Sequence, residues 1–268
     1  MMNLTLVSTP IGNLEDITIR ALSVLKESAI VLAEDTRVTK KLFEALEIKF
    51  DDKKIMSFND HDQAKIPAIV RSLEGKSVTL VSDAGSPVIS DPAYPLIRYV
   101  LESGGTIATV PGVSATTCAI ELSGLPSLPN TFHGFIGRKK GEIISKFEEC
   151  ESIGGLHIFF ESPHRILDTL GHLAEFSPDS QVSVSREITK KFETTHRFLA
   201  KNYLEEQILD KGEFVICIWF EKKVQRLNTG LEKLAQGYLD KKTPKNLAKV
   251  LAPILNLTTN EVYQKITE

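Results

Sequence analysis

The sequence predicts an α/β protein with two α/β domains and a short helical tail. Three observations predict this fold class. Short apolar runs alternate with helical patterns in the first half of the chain, as in the βαβ units of a mostly parallel sheet. Two prolines interrupt this alternation at 125–130, which indicates a linker, and the alternation resumes afterwards with more closely spaced strands. We therefore predict an N-terminal domain at 1–124, a second domain at 131–222 and a tail of helices at 223–268.

The first domain is predicted to contain five strands, at 4–8, 29–33, 55–58, 77–81 and 106–110. These runs are apolar throughout, which is typical of strands that helices cover on both faces. The intervening helices are predicted at 16–28, 38–46, 64–73 and 92–102. Asp16 is expected to cap the first helix, Asp91 and Pro92 to open the fourth, and Ser114 to cap the helix after the last strand.

The second domain is predicted to contain five further strands, at 131–136, 156–160, 182–185, 194–199 and 214–220. Helices are predicted at 143–150, 166–175 and 203–209. Because the last three strands follow one another closely in the sequence, we expect this sheet to be mixed rather than parallel.

Composition excludes several classes of function. The net charge of −3 leaves no basic field over the whole chain, so any contact with nucleic acid must depend on a local patch. The three cysteines are far apart and lack CxxC spacing, which argues against a zinc site and a disulfide scaffold and favours a reducing compartment. No apolar run is long enough for a membrane helix, and the first residues lack a signal-peptide pattern. We expect a soluble cytoplasmic protein.

Three strands of the first domain end in loops of proline, glycine and other small residues: TPIGN at 9–13, DAGSP at 83–87 and PGVSA at 111–115. In an open α/β sheet, ligands bind beyond the carboxyl ends of the strands. Glycine lets a ligand approach the backbone, and proline holds a loop in shape. Each loop alone could be a tight turn, but the three together favour a ligand cleft. None is a Walker A or GxGxxG sequence, which argues against the usual NTP and NAD sites.

Six motifs, taken in order, resemble those of the bacterial 16S rRNA (cytidine-2'-O)-methyltransferases of the tetrapyrrole methylase superfamily. The motifs are STPIGNLEDIT, LAEDTR, VSDAGSPVISDP, VPGVSA, FFESPHRIL and SREITK, and the resemblance runs from Leu4 to about Phe220. It implies S-adenosylmethionine (SAM) in a cleft between two α/β domains, and a homodimer. It also implies methyl transfer to the ribose 2'-oxygen of a cytidine in the decoding region of small-subunit rRNA. Asn59 departs from the family, which usually has a histidine there; this weakens any paired-histidine role for His61.

By the same resemblance, SAM is held largely by backbone groups and small side chains. The implied SAM contacts are Pro10, Asp83, Ala84, Gly85, Ser86, Pro87, Val88, Ser114 and Ala115 in the first domain, and Phe135, Glu161, Ser162 and Pro163 in the second.

Methyl transfer from SAM is an in-line displacement, so the protein mainly aligns the reacting atoms, and no metal is needed. A neutral ribose hydroxyl is a poor nucleophile, and a general base would help. Asp35 is the first candidate for this base and Glu34 the second. The alternative is that one of them caps the helix near Val38 or pairs with Arg37, which could itself bind an RNA phosphate.

Basic residues in three places are candidates for binding RNA, each with a structural alternative such as a solvated surface or an ion-pair network. They are Arg138, Lys139 and Lys140 after the linker; His164, Arg165, Arg186 and Lys190 in the ESPHR and REITK motifs; and Lys222, Lys223, Arg226, Lys233, Lys241, Lys242, Lys245 and Lys249 in the tail. Two rival functions stay open: methylation of a tetrapyrrole precursor or another small molecule, and SAM binding by an assembly factor without turnover.

Overall fold

A computed structural model describes residues 1–58, 64–88, 93–222 and 243–267 of the chain. The chain forms two compact units, Met1–Glu221 and Lys222–Glu268. The first unit contains two five-stranded sheets. The domain boundaries drawn inside it from the sequence stay a prediction.

The first sheet is entirely parallel and has the strand order β3-β2-β4-β1-β5. Its strands are β1 (Asn3–Val7), β2 (Ile30–Ala33), β3 (Lys54–Ser57), β4 (Ser77–Val81) and β5 (Thr106–Val110). The connecting helices are α1 (Ile19–Glu27), α2 (Thr36–Ala45), α3 (Ile66–Ser72) and α4 (Ala93–Glu102). The predicted βαβ alternation is therefore confirmed. β2 is fully buried, as expected, whereas the edge strand β5 leaves Thr106, Ala108 and Thr109 exposed.

Register brings the ends of neighbouring strands together. Val7 at the end of β1 lies between Val81 at the end of β4 and Val110 at the end of β5. On its other side, Val81 pairs with Ala33 at the end of β2. The segments that follow these four strands therefore start side by side at one edge of the sheet, where parallel sheets bind ligands.

The second sheet is mixed, as predicted, and has the order β6-β7-β10-β8-β9. Its strands are β6 (Asn130–Phe135), β7 (Gly155–Glu161), β8 (Gln181–Arg186), β9 (Thr194–Leu199) and β10 (Phe214–Phe220). Only β6 and β7 pair in parallel; the other pairs are antiparallel. Helices α6 (Lys140–Ile153) and α7 (Ile166–Phe176) bury apolar side chains with this sheet, among them Phe147, Phe159, Leu170 and Phe220.

A fifth helix joins the two sheets. α5 (Ala115–Ser123) follows the last strand of the first sheet, but it packs against β8, β9 and β10 of the second. Its Ala119 is buried in an apolar cluster with Leu156, Ile158 and Cys217. The helix ends at Gly124, whose φ of 69° is in the left-handed region that glycine adopts without strain.

Several predicted elements need correction. Thr18, not Asp16, caps α1: its hydroxyl accepts the N–H of Ala21, while 14–16 form a separate 3-10 turn. The helix predicted at 203–209 is wrong. A 3-10 turn at Ala200–Asn202 leads into irregular turns, in which Tyr203 and Ile208 pack on the core of the second sheet whereas Leu204 and Leu209 are exposed. Gln207 also adopts a positive φ, which a helix cannot accommodate.

Two other helix starts were predicted from the sequence, at Ser114 and at Asp91 with Pro92. Ser114 does stand at the N-cap of α5, but its hydroxyl bonds Thr116 and not a backbone N–H. The predicted start of α4 at Asp91 and Pro92 lies outside the described residues, as do Asn59 and His61.

The second unit contains helices in its described part, as the sequence predicts. They are α8 (Pro244–Leu255) and α9 (Thr259–Thr267), which bury Leu247, Leu251 and Val262 against each other. Of the basic tail residues, those at 223–242 lie outside the described part. Within the described residues, no helix is long and apolar enough to cross a membrane.

Candidate active site

The loops after β1, β4 and β5 are joined by close backbone contacts. Thr9 and Gly85 exchange two backbone hydrogen bonds, with N–O distances of 2.9 and 3.1 Å. The N–H of Ser8 donates to the carbonyl of Val110 at 3.2 Å. Gly112 passes so close to Ser8 that an added Cβ would lie 2.8 Å from the Ser8 Cβ. The predicted convergence of TPIGN, DAGSP and PGVSA is therefore present in the structure.

Gly85 is the glycine of these three loops whose backbone lies in the left-handed region. Its φ is +74°, in the left-handed region. Among the described residues beyond its chain neighbours, a Cβ there would meet the Ile11 side chain alone within 4 Å, at 3.4 Å. A Cβ would therefore have few close neighbours at this point, although Gly85 itself is buried.

Two buried polar residues that the sequence analysis did not select hold the loops. The Thr9 hydroxyl lies 3.3 Å from the Ser82 carbonyl, and the Ser82 hydroxyl donates to the Gly85 carbonyl at 3.2 Å. Both side chains are almost completely buried. A Ser or Thr directly after an apolar strand is the sequence signal that could have identified them, because such hydroxyls bond nearby backbone.

A reciprocal clamp joins the ends of β2 and β4. The Glu34 carboxylate accepts the backbone N–H of Asp83 at 3.2 Å, and the Asp83 carboxylate accepts the backbone N–H of Asp35 at 3.1 Å. Burial raises the pKa of Asp83 above its usual value, although the bond from Asp35 opposes the shift. A small pocket beside this clamp is lined by Glu34, Ser82 and Pro87, together with apolar side chains.

Asp35 both caps a helix and pairs with Arg37, which are the two alternatives to a general-base role that the sequence left open. Its carboxylate caps α2 by accepting the N–H of Arg37 at 2.8 Å, and it pairs with the Arg37 guanidinium at 2.6 Å. Hydrogen bonds from Arg37 hold the pKa of Asp35 well below its usual range. The Arg37 side chain is 86% exposed, so its remaining N–H groups face solvent.

The ESPHR motif is organised by a buried carboxylate at the end of β7. Glu161, whose side chain is 0% exposed, bonds the Thr169 hydroxyl at 2.7 Å, the Ser162 N–H at 2.6 Å and Arg165 at 2.6 Å. Arg165 also donates to the carbonyl of Gly137 at 3.1 Å. These contacts give the Glu161 and Arg165 side chains a positioning role, because they fix the segment that follows β6.

That segment continues into the predicted basic loop. Arg138 and Lys139 are exposed, and the Glu142 carboxylate accepts both of their backbone N–H groups, at 3.1 and 3.3 Å. Lys140 starts α6 and pairs with Glu175 at 2.7 Å. Within the described part of the chain, no salt bridge engages the side chains of Arg138 and Lys139, which are therefore available for phosphates.

The REITK residues form the ion-pair network that was the structural alternative to RNA binding. Lys190 pairs with Glu187 and Glu213, each at 2.9 Å, and Arg186 donates to the backbone carbonyls of Lys211 and Phe192. This network meets the first sheet. The N–H of Asn13 donates to the Thr189 hydroxyl at 3.1 Å, and a Cβ on Gly12 would collide with the Lys190 side chain.

The structure thus brings together the first-sheet residues that were assigned to SAM: Pro10, Asp83, Ala84, Gly85, Ser86, Pro87, Val88, Ser114 and Ala115. The second-sheet residues form a separate set. Phe135 stacks edge-on with Phe160, and Glu161, Ser162 and Pro163 adjoin Gly137 and α7. In the described residues, no hydrogen bond connects this second set to the three loops.

Comparison with known proteins identifies the family to which this chain belongs. Residues 3–203, about three quarters of the chain, match the family of the tetrapyrrole (corrin/porphyrin) methylases. The chain therefore belongs to the tetrapyrrole methylase family.

Within that family, the chain is similar to the ribosomal RNA small subunit methyltransferase I of Streptococcus pyogenes serotype M3 (strain ATCC BAA-595 / MGAS315). The two sequences are 38% identical over 272 residues, which cover 98% of this chain and 93% of the relative. Among solved structures, the fold is similar to that of diphthine synthase, with a TM-score of 0.63 and 14% identity over 82% of this chain and 90% of the other. It is also similar to the uroporphyrin-III C-methyltransferase of Thermus thermophilus complexed with S-adenyl homocysteine, with a TM-score of 0.54 and 18% identity over 81% and 97% of the two chains.

Proposed function

We propose that this chain is a SAM-dependent methyltransferase that acts on the ribose 2'-hydroxyl of a cytidine in the decoding region of 16S rRNA. The observation that carries the proposal is the match of 98% of the chain to a relative named as a ribosomal RNA small subunit methyltransferase. The six sequence motifs support the finer assignment to the ribose oxygen of a cytidine. The related fold complexed with S-adenyl homocysteine supports SAM as the methyl donor.

The chemistry of the joined loops fits SAM. They offer backbone groups and small side chains, and a Cβ at Gly85 would meet Ile11 alone among the described residues beyond its chain neighbours. We assign SAM binding to 83–88, Pro10, Ser114 and Ala115 from the first sheet, and to Phe135, Ser162 and Pro163 from the second, with Glu161 positioning the last two. SAM supplies a methyl group on a positively charged sulfur, so the chain contributes mainly alignment.

The clamp between β2 and β4 supports a revised choice of general base. Asp35 was the first candidate, but its pairing with Arg37 lowers its basicity. Asp83 has a raised pKa and is partly exposed, and only its Oδ1 engages the Asp35 N–H. A carboxylate with a higher pKa takes a proton more readily, so Asp83 is the stronger base of the two. In this scheme Asp83 takes the 2'-hydroxyl proton, Glu34 positions the Asp83 backbone, and Asp35 holds Arg37.

RNA binding is assigned to exposed cations near these elements. Arg37, Arg138 and Lys139 present their charges to solvent, which suits contacts with RNA phosphates. Arg165, Arg186 and Lys190 are engaged by carboxylates or carbonyls, so we assign them to positioning instead. His164 stays a candidate for RNA contacts, as do the tail residues Lys245 and Lys249. Lys140 also stays a candidate, because its side chain is 58% exposed although it pairs with Glu175. A homodimer is part of the proposal, and the exposed edge strand β5 offers one surface for it.

Transfer of radiolabelled methyl from SAM to small ribosomal subunits that lack the modification tests this function. The labelled RNA is then hydrolysed with alkali, because a 2'-O-methyl group protects the adjacent phosphodiester bond and leaves a labelled dinucleotide. We expect one labelled cytidine. Label on a base would contradict the ribose assignment. Intact SAM binding without label would contradict the rRNA assignment, and transfer to a porphyrinoid would then favour the small-molecule alternative.

A further inference from the structure

Three potential metal ligands meet on the helix-covered face of the second sheet, outside the site described above. His133 is in β6, Cys150 is near the end of α6, and His157 is in β7. Their ligand atoms all lie within 4.8 Å of one another. The distance from His133 Nε2 to His157 Nδ1 is 2.8 Å, and that from His133 Nε2 to Cys150 Sγ is 3.6 Å.

The surroundings of this group are apolar and largely closed to water. Cys150 and His157 are fully buried, whereas His133 is half-buried. The His133 ring stacks on Phe159, and the His157 ring packs edge-on against Phe220. Polar side chains in such a place are costly unless they are hydrogen-bonded or bind a cation. Here the three side chains hydrogen-bond one another through His133 Nε2, and a neutral imidazole can instead offer its lone pair to a metal.

The orientation of His157 matches that of a metal ligand. Its Nε2 lies 3.3 Å from the carbonyl of Gly154, so this nitrogen donates to the backbone and Nδ1 presents its lone pair to His133 and Cys150. Metal-bound histidines usually donate their other ring nitrogen in this way, which fixes the ring and its tautomer.

The separations fit a tetrahedral thiophilic cation after a small adjustment. Zinc–sulfur and zinc–nitrogen bonds of about 2.3 and 2.0 Å place a sulfur and a nitrogen ligand roughly 3.5 Å apart, close to the observed contact of Cys150 with His133. Two nitrogen ligands would lie roughly 3.3 Å apart, so the two imidazoles would separate by about 0.5 Å. Rotation of the half-buried His133 can supply this opening.

We propose that His133, Cys150 and His157 form a structural Zn²⁺ site, with a fourth position on the side of the half-buried His133. Two imidazole nitrogens and one cysteine sulfur favour zinc over the harder cations Mg²⁺ and Ca²⁺. The ion would link the consecutive elements β6, α6 and β7, and Arg138 and Lys139 lie in the segment between the first two. Sequence spacing argued against zinc because neither CxxC nor closely spaced histidines are present; the ligands converge only when the three elements pack. The site is independent of methyl transfer.

Metal titration of the full-length chain, without a histidine tag and stripped by chelator, tests the proposal. Equilibrium dialysis with Zn²⁺ alone is expected to load one ion per chain. Co²⁺ is expected to produce a thiolate-to-cobalt charge-transfer band and the intense visible bands of a tetrahedral site, and Zn²⁺ should abolish both. A wild-type chain that takes up no stoichiometric Zn²⁺, or binds Co²⁺ without a thiolate band, overturns the proposal.

A matched pair of cysteine variants locates the site. Cys150 and Cys217 are both buried, but among the described residues only Cys150 belongs to the group. Cys150→Ala is expected to abolish the cobalt–thiolate band and weaken Zn²⁺ binding by more than about tenfold, whereas Cys217→Ala leaves both unchanged. His133→Gln, at the accessible side, provides the same test if Cys150→Ala does not fold. A band that persists in Cys150→Ala, or Zn²⁺ binding that is unaffected by His133→Gln, refutes the assignment.

Discussion

Replacing Gly85 with alanine should impair SAM binding more than it impairs folding. Gly85 has a φ of +74°, so any L-residue there is strained, by about 1–2 kcal/mol. The new Cβ would contact Ile11 at 3.4 Å and otherwise project toward the position that we assign to SAM. Overpacking of this kind costs about 1–3 kcal/mol, which corresponds to a loss of SAM affinity of roughly tenfold to a hundredfold.

Gly75 supplies a matched control. It has the same φ of +74°, and a Cβ there would meet none of the described residues beyond its chain neighbours within 4 Å. Gly75→Ala should therefore cost about the same stability, 1–2 kcal/mol, and leave SAM affinity unchanged. Calorimetric titration with SAM gives the affinities, and urea denaturation gives the free energies of unfolding. If both variants bind SAM as tightly as the wild type does, the placement of SAM beside Gly85 is wrong, and Gly85→Val, with more bulk, should confirm that result.

Three further predictions concern the base, the buried carboxylate and the basic loop. Asp83→Asn keeps the acceptor for the Asp35 N–H, so we expect single-turnover transfer at saturating SAM to fall by roughly a hundredfold or more. The acid limb of the wild-type pH–rate profile should lie above the usual Asp pKa of 3.8, since transfer needs ionised Asp83; a larger fall in Asp35→Asn would restore Asp35 as the base. Glu161→Ala removes the partner of a partly buried Arg165 and should destabilise the chain by about 3 kcal/mol in urea denaturation; a change below about 1 kcal/mol would contradict the positioning role. Arg138→Ala with Lys139→Ala should weaken binding to small subunits and flatten its salt dependence, whereas an unchanged salt slope would place the RNA elsewhere.

The sequence predicts those parts of the fold that depend on short-range patterns. Continuous apolar runs such as SVTLV and FVICIWF are strands at 77–81 and 214–220, as expected, because strands inside a covered sheet need no polar positions. The prediction of a helix at 203–209 was wrong because it relied on the spacing of apolar residues alone. A few apolar residues at helical spacing do not make a helix unless they share one buried face, and here Leu204 and Leu209 face solvent.

The contacts of the candidate site also divide into those between near neighbours in the sequence, which can be predicted, and those between distant residues, which cannot. The pairing of Asp35 with Arg37 spans two residues, so it was open to inference from LAEDTR. The bonds of the other carboxylates join residues that are much farther apart in the sequence, such as Glu34 with Asp83 and Glu213 with Lys190. Such contacts are fixed by strand order and by the packing of the two sheets, which no local pattern encodes. The meeting of His133, Cys150 and His157 is of this second kind.

The loop after β1 connects motifs of the first sheet to the REITK motif of the second sheet through hydrogen bonds near both of its ends. Thr9 fixes the loop to Gly85 on one side, and Asn13 fixes it to Thr189 on the other. Gly12 must be glycine because the Lys190 side chain occupies the space of its Cβ. We therefore propose that the ion pairs of Lys190 help to fix the shape of TPIGN, and that REITK serves methyl transfer in this way rather than by touching the RNA.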